Sequence, residues 1–395
     1  MDYDFWKFVI FMKKKVCILG STGNIGQLTL KIIENNKKDF KVSLLSGNNN
    51  YKLLLSQAKQ FNPKYIYSTN DYLIKKIQNV CKQKKIIIIR DIKLINKRDR
   101  FDISVTGISG IAGLVPTISI IKHSKEIAIA NKESIICGWQ FIKKELKKYN
   151  CKFIPLDSEH FSIYNLIQNK DKKSIQNIFL TASGGPFFGK KINLKTVSPV
   201  EATKHPKWKM GKKISVDSAN LMNKVLEVIE ASLLFDLPLS KISIMIHPQS
   251  LIHSIVKYNN GLSTMMHHHN DMKIPIINSL YKNLNFKDKS ISNFSFNENK
   301  NLQLFFYKVD SKKYRAIKVL NLAKKLDVNG YIVINVLNEL LVEKFLDKKI
   351  SFSDIIYKLL SILQSKIVKK YLKYNKIKHI KDVFKTYEFC RSILN

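Results

Sequence analysis

The chain has 395 residues, 45% of them hydrophobic and 25% charged. That leaves room for two or three domains and excludes a disordered, collagenous or disulfide-built miniature protein. Lys and Arg outnumber Asp and Glu 68 to 30, a net charge of +38. Only five of the 68 are arginines (Arg90, Arg98, Arg100, Arg315 and Arg391), and the lysines run along the whole chain without a basic tail. Readers of nucleic acid favour the bidentate Arg fork, so the charge reflects codon usage rather than a nucleic-acid partner.

Residues 1–12 read as an extension, or Met12 is the true start. The apolar stretch there carries Asp2 and Asp4 and precedes its lysines, the reverse of a signal peptide. Val16–Leu19 predicts a buried strand that runs into Gly20–Gly26 and then an amphipathic helix with Leu28, Leu30, Ile32 and Ile33. Lys41–Leu45 predicts the next strand, closed by Ser46-Gly47-Asn48-Asn49-Asn50. Helix-like stretches at 51–60 and 71–80 alternate with strand-like ones at 64–67 and 85–89. Segments at 103–105, 127–130 and 153–155 continue the series. Alternating strand and helix implies a parallel sheet covered on both faces, hence an N-terminal Rossmann-like α/β domain over 13–157. Residues 158–285 mix strands and helices and predict a central α+β domain, with loops at 183–191 and 203–213. A polar Asn/Lys-rich linker follows at 286–309, and 310–395 has the periodicity of a helical domain. No apolar run reaches the ~18 residues of a membrane helix. The five cysteines form no C-x-x-C pair and fit a reducing, cytoplasmic setting.

Several segments carry chemistry. Gly20, Gly23 and Gly26 follow a strand and open a helix, the context in which glycines let a pyrophosphate approach free helix N–H groups. No carboxylate stands at Gly47-Asn48-Asn49-Asn50 to repel a 2′-phosphate, which favours NADP over NAD. Asp157-Ser158-Glu159 follows a strand. In extended backbone its two carboxylates share one side and suit Mg²⁺ or Mn²⁺; on the tripeptide alone, a helix N-cap is the stronger reading. Asp217 or Ser218 predicts the cap of a helix to about Leu234, on which Asn223, Lys224 and Glu227 share one face. Ala182-Ser183-Gly184-Gly185-Pro186-Phe187 offers a hydroxyl and backbone N–H groups to an anion. His205-Pro206-Lys207-Trp208-Lys209-Met210-Gly211 carries an indole on poor core material. Ala130-Asn131-Lys132-Glu133 reads by itself as a helix start. His267-His268-His269 alternate faces in a strand, so the three do not read as ligands of one ion.

In this order, GSTGNIG, ANKES, LDSEH, ASGGPF, HPKWKMGKKISVDSANLMNK, LEVIEA and HPQSLIHSIV resemble the 1-deoxy-D-xylulose 5-phosphate reductoisomerase family. The resemblance runs from about Lys14 to about Tyr281 and returns at Asn338-Glu339. It implies a homodimeric, NADPH- and divalent-metal-dependent enzyme of non-mevalonate isoprenoid synthesis. That enzyme rearranges 1-deoxy-D-xylulose 5-phosphate and reduces the product to 2-C-methyl-D-erythritol 4-phosphate. By motif match, Asp157, Glu159 and Glu227 are the expected ligands of Mn²⁺ or Mg²⁺, with Co²⁺ a further candidate. Ser183, Ser218, Asn223 and Lys224 are expected on the substrate phosphate. Lys132, Ser158, Glu159 and His205 are expected on the rest of the substrate. Gly20, Thr22, Gly23, Asn24, Ile25, Gly26, Gly47, Asn48, Asn49, Asn131, Glu133 and Gly211 are expected at NADPH. Trp208 and Met210 are expected in a lid.

Three positions depart from the family pattern. Asn48 stands where a basic residue usually follows Gly47. Phe188 stands where an Arg usually follows the glycine loop. Met266-His267-His268-His269-Asn270-Asp271-Met272 replaces a strand that usually helps form the dimer. Two other readings compete. An NADP-linked oxidoreductase without a carbon shift, such as a semialdehyde dehydrogenase, needs a nucleophilic cysteine beside a histidine, and none of the five is so placed. An inactive homologue kept as a binding protein predicts the loss of a carboxylate or of Lys224, and none is lost.

Overall fold

A computed structural model describes residues 12–204, 211–282 and 303–394. His205, Trp208 and Met210, the extension before Met12 and most of the 286–309 linker lie outside the described residues.

In chain order the first elements are β1 (Lys14–Leu19), α1 (Asn24–Asn35), β2 (Phe40–Ser46), α2 (Tyr51–Phe61), β3 (Tyr65–Tyr67) and α3 (Asp71–Gln83). Next come β4 (Ile87–Ile89), β5 (Phe101–Thr106), α4 (Leu114–Ile121), β6 (Ser124–Ile129), α5 (Lys132–Tyr149) and β7 (Lys152–Pro155). The middle of the chain forms α6 (Ser158–Ile167), β8 (Ile175–Ala182), α7 (Pro199–Thr203), α8 (Lys212–Ala219) and α9 (Met222–Phe235). It continues with β9 (Ile242–Ile246), β10 (Ile252–Tyr258), β11 (Ser263–His267), α10 (Lys273–Tyr281) and β12 (Tyr307–Lys308). The tail is α11 (Ala316–Ala323), α12 (Val328–Leu346), α13 (Phe352–Gln364), α14 (Lys366–Tyr374) and α15 (Ile380–Leu394). The strand–helix alternation read in the sequence is the α/β fold observed.

The chain divides into two compact units. The described part of the first is residues 12–131, 142–156 and 275–282. It holds a seven-stranded sheet in the order β4-β3-β2-β1-β5-β6-β7, parallel at every pairing. Val16, Cys17, Ile18 and Leu19 of β1 are fully buried, as a central strand covered on both faces requires. Strand order reverses between β1 and β5, and open α/β sheets take ligands beyond the strand ends at such a reversal. Gly20 and Gly107 leave those two strands. Gly20 has φ +83°, and a Cβ on it would lie 2.9 Å from the Gly107 carbonyl carbon.

The described part of the second unit is residues 132–141, 157–204, 211–274 and 303–394. Its five-stranded sheet runs β11-β10-β8-β9-β12. The β8–β9 pair is parallel and the others antiparallel. Helices α6 and α9 pack on this sheet, and α12 packs on α8, α13 and α15. Helix α12 is apolar almost all round: Ile332, Val333, Ile334, Val336, Leu337, Leu341, Val342 and Phe345 are all buried. Each such side chain contributes about 1.5–3 kcal/mol when removed from water.

One local expectation is corrected. The 212–235 stretch is two helices, not one capped at Asp217 or Ser218. Leu221 adopts a left-handed conformation (φ 71°) between them, and Asp217 lies inside α8 with its carboxylate engaged elsewhere. For Asp157-Ser158-Glu159 the stronger reading holds: Glu159 sits in the first turn of α6 and Asp157 is that helix's N-cap, so the backbone there is not extended.

Candidate active site

The cap is where the second unit's site begins. Asp157 Oδ1 accepts from the backbone N–H groups of Glu159 at 3.2 Å and His160 at 3.4 Å. Capping thus fixes the Asp157 side chain while its carboxylate still faces Glu159 and Glu227. Oxygens of Asp157, Glu159 and Glu227 all lie within 4.8 Å of one another. The cap reading of the tripeptide holds, and one carboxylate has lone pairs enough to cap and also to serve as a ligand.

Two lysines enter this cluster. Lys224 Nζ lies 2.6 Å from Glu227 Oε2 and also pairs with Glu159. Lys132 Nζ lies 3.4 Å from Glu227 Oε1 and 3.7 Å from Asp157 Oδ2, and donates to Asn223 Oδ1 at 2.7 Å. Asn223 donates in turn to Glu227. Lys132, Asp157, Glu159, Asn223, Lys224 and Glu227 are therefore brought together. Ser158 joins them by donating to Glu159 Oε2. Burial pushes Glu159 up to about 7, helped by the like charge of Glu227. Burial opposes the charges of Lys132 and Lys224, but the surrounding carboxylates outweigh it and hold both ammoniums charged.

The remaining phosphate candidates lie on neighbouring backbone. Gly184 and Gly185 have φ of +84° and +68°, and a Cβ on Gly185 would lie 2.8 Å from the Ser218 carbonyl oxygen. Only glycine lets the Ser183 loop approach Ser218 this closely. Ser183 Oγ accepts from the Gly185 N–H at 3.2 Å. Phe188, the departure from an Arg, packs on the buried group of Ala182, Leu221, Ile246 and Tyr314 and on the Tyr307 ring at 5.4 Å.

His160 and Glu230 belong to the site and were not singled out in the sequence. His160 donates through Nδ1 to Asp157 Oδ1 at 2.8 Å and through Nε2 to the Glu227 carbonyl at 3.0 Å. Glu230 Oε2 is 3.7 Å from His160 Nδ1. Burial disfavours the imidazolium, but Glu230 and Asp157 outweigh it and push His160 up to about 10. The only sequence signal was spacing: Glu230 is one turn beyond Glu227, and His160 is next to Glu159. A second buried group also went unread. Lys213 Nζ lies 3.1 Å from Glu133 and 3.3 Å from Asp217, and Asn338 of α12 completes the group at Asp217. Glu133 is thus engaged inside the second unit.

The first unit holds the other cofactor candidates. Helix α1 has Gly23 as its N-cap with no side-chain hydrogen bond, so its first-turn N–H groups are left for a ligand. A Cβ on Gly26 would lie 2.5 Å from Ser21 Cα, a cradle only glycine permits. Thr22 lines Gly47, whose Cβ would fall 3.2 Å from the Thr22 methyl group. Asn24 and Ile25 open α1. Asn131 donates to the carbonyls of Ile108 and Gly110, holding the loop after β5. Buried Ser21 bonds Ser46 and Gln57, another link not singled out in the sequence. Gly211 is the uncapped N-terminus of α8 in the second unit.

The donor chemistry fits both groups that the motifs imply. Three clustered carboxylate oxygens suit a hard divalent cation. The strand, glycine turn and uncapped helix suit a dinucleotide pyrophosphate.

Known proteins resemble this chain over most of its length. The 1-deoxy-D-xylulose 5-phosphate reductoisomerase family matches residues 16–138, and two families described as its C-terminal domains match 153–235 and 268–393. A 1-deoxy-D-xylulose 5-phosphate reductoisomerase of Pelagibacter ubique is 45% identical over 377 residues, 93% of this chain and 94% of its own. The chain belongs to the 1-deoxy-D-xylulose 5-phosphate reductoisomerase family. The reductoisomerase of Clostridium tetani is 39% identical over 87% of this chain and 90% of its own. Among solved reductoisomerases, a crystal structure in complex with NADPH, fosmidomycin and magnesium superposes with a TM-score of 0.87 at 32% identity. It covers 96% of this chain and 97% of that one. The Zymomonas mobilis reductoisomerase in complex with NADPH gives 0.83 at 31% identity, with coverages of 96% and 98%.

Proposed function

We propose that the chain converts 1-deoxy-D-xylulose 5-phosphate to 2-C-methyl-D-erythritol 4-phosphate with NADPH and a divalent cation, a step of isoprenoid synthesis. The observation that carries this reading is the Asp157–Glu159–Glu227 oxygen cluster with Lys132 and Lys224 buried against it, in a chain of this family. When bound, Mg²⁺ or Mn²⁺ supplies Lewis acidity at the substrate oxygens and the nicotinamide supplies the hydride.

The chain's own residues supply binding, orientation and charge balance. Asp157, Glu159 and Glu227 hold the cation, and the cap on α6 keeps Asp157 from turning away. Lys132 and Lys224 offset the excess negative charge of three carboxylates. Asn223 and Lys224 on α9, with Ser183 and Ser218 across the glycine contact, bind the phosphate through an amide, an ammonium and hydroxyls. Ser158 orients Glu159. By the family motif, His205 is assigned to the substrate and Trp208 and Met210 to a lid, all three outside the described residues. Gly20 to Gly26, Gly47, Asn48 and Asn49 receive the dinucleotide.

The protein works as a homodimer in the cytoplasm. Strand β11 is at one edge of its sheet, with Met265 exposed, and an open edge invites pairing. The five cysteines are buried and free, as suits a reducing compartment. Among the described residues no helix is long and apolar enough to cross a membrane. The test is NADPH oxidation with 1-deoxy-D-xylulose 5-phosphate, with and without Mn²⁺ or Mg²⁺. Metal-dependent oxidation coupled to 2-C-methyl-D-erythritol 4-phosphate is expected. No product with either metal would reject the proposal.

A further inference from the structure

Open α/β sheets distinguish the two nicotinamide cofactors at the end of the second strand. A carboxylate there binds the ribose 2′-hydroxyl, and an Arg nearby receives a 2′-phosphate. This chain has neither in the loops that meet there. They read Gly47-Asn48-Asn49-Asn50 after β2 and Ser68-Thr69-Asn70 after β3.

These loops are locked together by neutral groups. Asn48 Oδ1 accepts from Ser68 Oγ and Thr69 Oγ1, each at 3.3 Å. Asn70 Nδ2 donates to the Asn48 carbonyl at 2.7 Å, and Asn70 Oδ1 caps α3 by accepting from the Leu73 N–H at 3.1 Å. Buried Ser68 is anchored from behind, its N–H donating to the Ile89 carbonyl at 3.1 Å. With its oxygen turned to two hydroxyls, the exposed Asn48 presents its amide nitrogen to a ligand. Tyr51 and Tyr72, at the starts of α2 and α3, meet edge to face at 6.0 Å. Beside this rim Asp71 and Arg90 are paired with each other, and Lys52 in the first turn of α2 is exposed.

We propose that this hydroxyl–amide cluster, Asn48 held by Ser68, Thr69 and Asn70, determines cofactor specificity, and that the site accepts NADH alongside NADPH. The inference rests on the reading of the glycine loop as a dinucleotide site. An amide donor gives a phosphate a neutral hydrogen bond where a guanidinium gives charge-assisted ones, so the preference for NADPH falls to about five- to tenfold.

The test uses the full chain and cofactor binding read by nicotinamide fluorescence, with 2′,5′-ADP and 5′-AMP as competing fragments. The expected result is a ratio of NADPH to NADH affinity within about tenfold, matched by the ratio for the fragments. Asn48→Arg is expected to tighten NADPH and 2′,5′-ADP about fivefold and leave NADH and 5′-AMP unchanged. Asn48→Asp is expected to reverse the preference. A wild-type ratio of about a hundredfold or more, or an Asn48→Arg protein that tightens both cofactors equally or neither, would overturn the proposal. Bound NADPH that neither fragment displaces would overturn the glycine-loop reading itself, and the specificity proposal with it.

Discussion

Asn338 on α12 donates through Nδ2 to Asp217 Oδ1 on α8 at 2.9 Å, and both side chains are buried. The contact ties the C-terminal helical region to the helix that leads into the candidate phosphate residues. Burial pushes Asp217 up from the ordinary carboxylate range, and Lys213 and Asn338 act against that. Asn338→Ala leaves the buried carboxylate short of a donor, a loss of about 1–3 kcal/mol. Urea unfolding of the two proteins measures it. Equal stabilities would mean that Asp217 finds another donor.

Glu339, the next residue, gives a pH-dependent counterpart. Burial pushes it up to about 7, with Glu133, Glu343 and Asp217 adding to the effect and Lys213 opposing it. A carboxyl whose folded pKa is raised binds its proton more tightly in the native state. Its contribution to stability is therefore full below the unfolded pKa and is lost as pH rises towards 7. Glu339→Gln is expected to melt like wild type near pH 5 and above it near pH 8. A difference that is the same at both pH values would reject titration of Glu339 as the cause.

The stacked pair His253 and His268, with ring centroids 3.8 Å apart, carries the opposite sign. Burial holds both below the usual histidine range, and the proximity of His268 lowers His253 further. A histidine with a depressed folded pKa is protonated first in the unfolded chain. Stability is therefore lost as pH falls below about 6.5. His268→Gln is expected to flatten that acid limb. Thermal melts between pH 7.5 and 5, run in parallel on both proteins, read the slope.

Glu227→Gln tests the cation site apart from catalysis. The amide keeps the volume of the side chain and removes a charge that Lys132 and Lys224 now face. Mn²⁺ affinity, measured by titration of the metal alone, is expected to fall by about 100-fold or more, with turnover falling alongside. The melting temperature is expected to fall, since Lys132 and Lys224 lose a buried charged partner. Unchanged Mn²⁺ binding would remove Glu227 from the ligand set.

Legibility in the sequence followed the range of the interactions. The turn from β1 into α1 was readable because strand, glycines and helix are contiguous and Gly26 meets its own neighbours Gly20 and Ser21, whereas the contact of Gly20 with Gly107 is long-range. Asn223, Lys224 and Glu227 were readable as one face because helical spacing is local. The pairings that complete the sites are not local. Lys132 reaches Asn223 across 91 positions and His160 reaches Glu227 across 67. Local pattern misled at Asp217, which resembles a cap in sequence and is a buried partner of Lys213 in space. At Asp157-Ser158-Glu159 local pattern served, since the N-cap reading is the one observed.

Leu221 has a consequence for how this part of the chain can change. Its left-handed backbone costs about 1–2 kcal/mol, which a glycine would relieve. Yet its side chain is 1% exposed beside Ala182, Ile246 and Tyr314, and removing it would cost about 2–5 kcal/mol. The bend is therefore pinned to one residue, and with it the rotational phase of α9. An α-helix advances about 100° per residue. Inserting or deleting one residue between Ser218 and Asn223 would swing Asn223, Lys224 and Glu227 off their bearing and turn Val225 and Leu226 out of the core. Along this stretch a change of length would therefore displace the site and the core together.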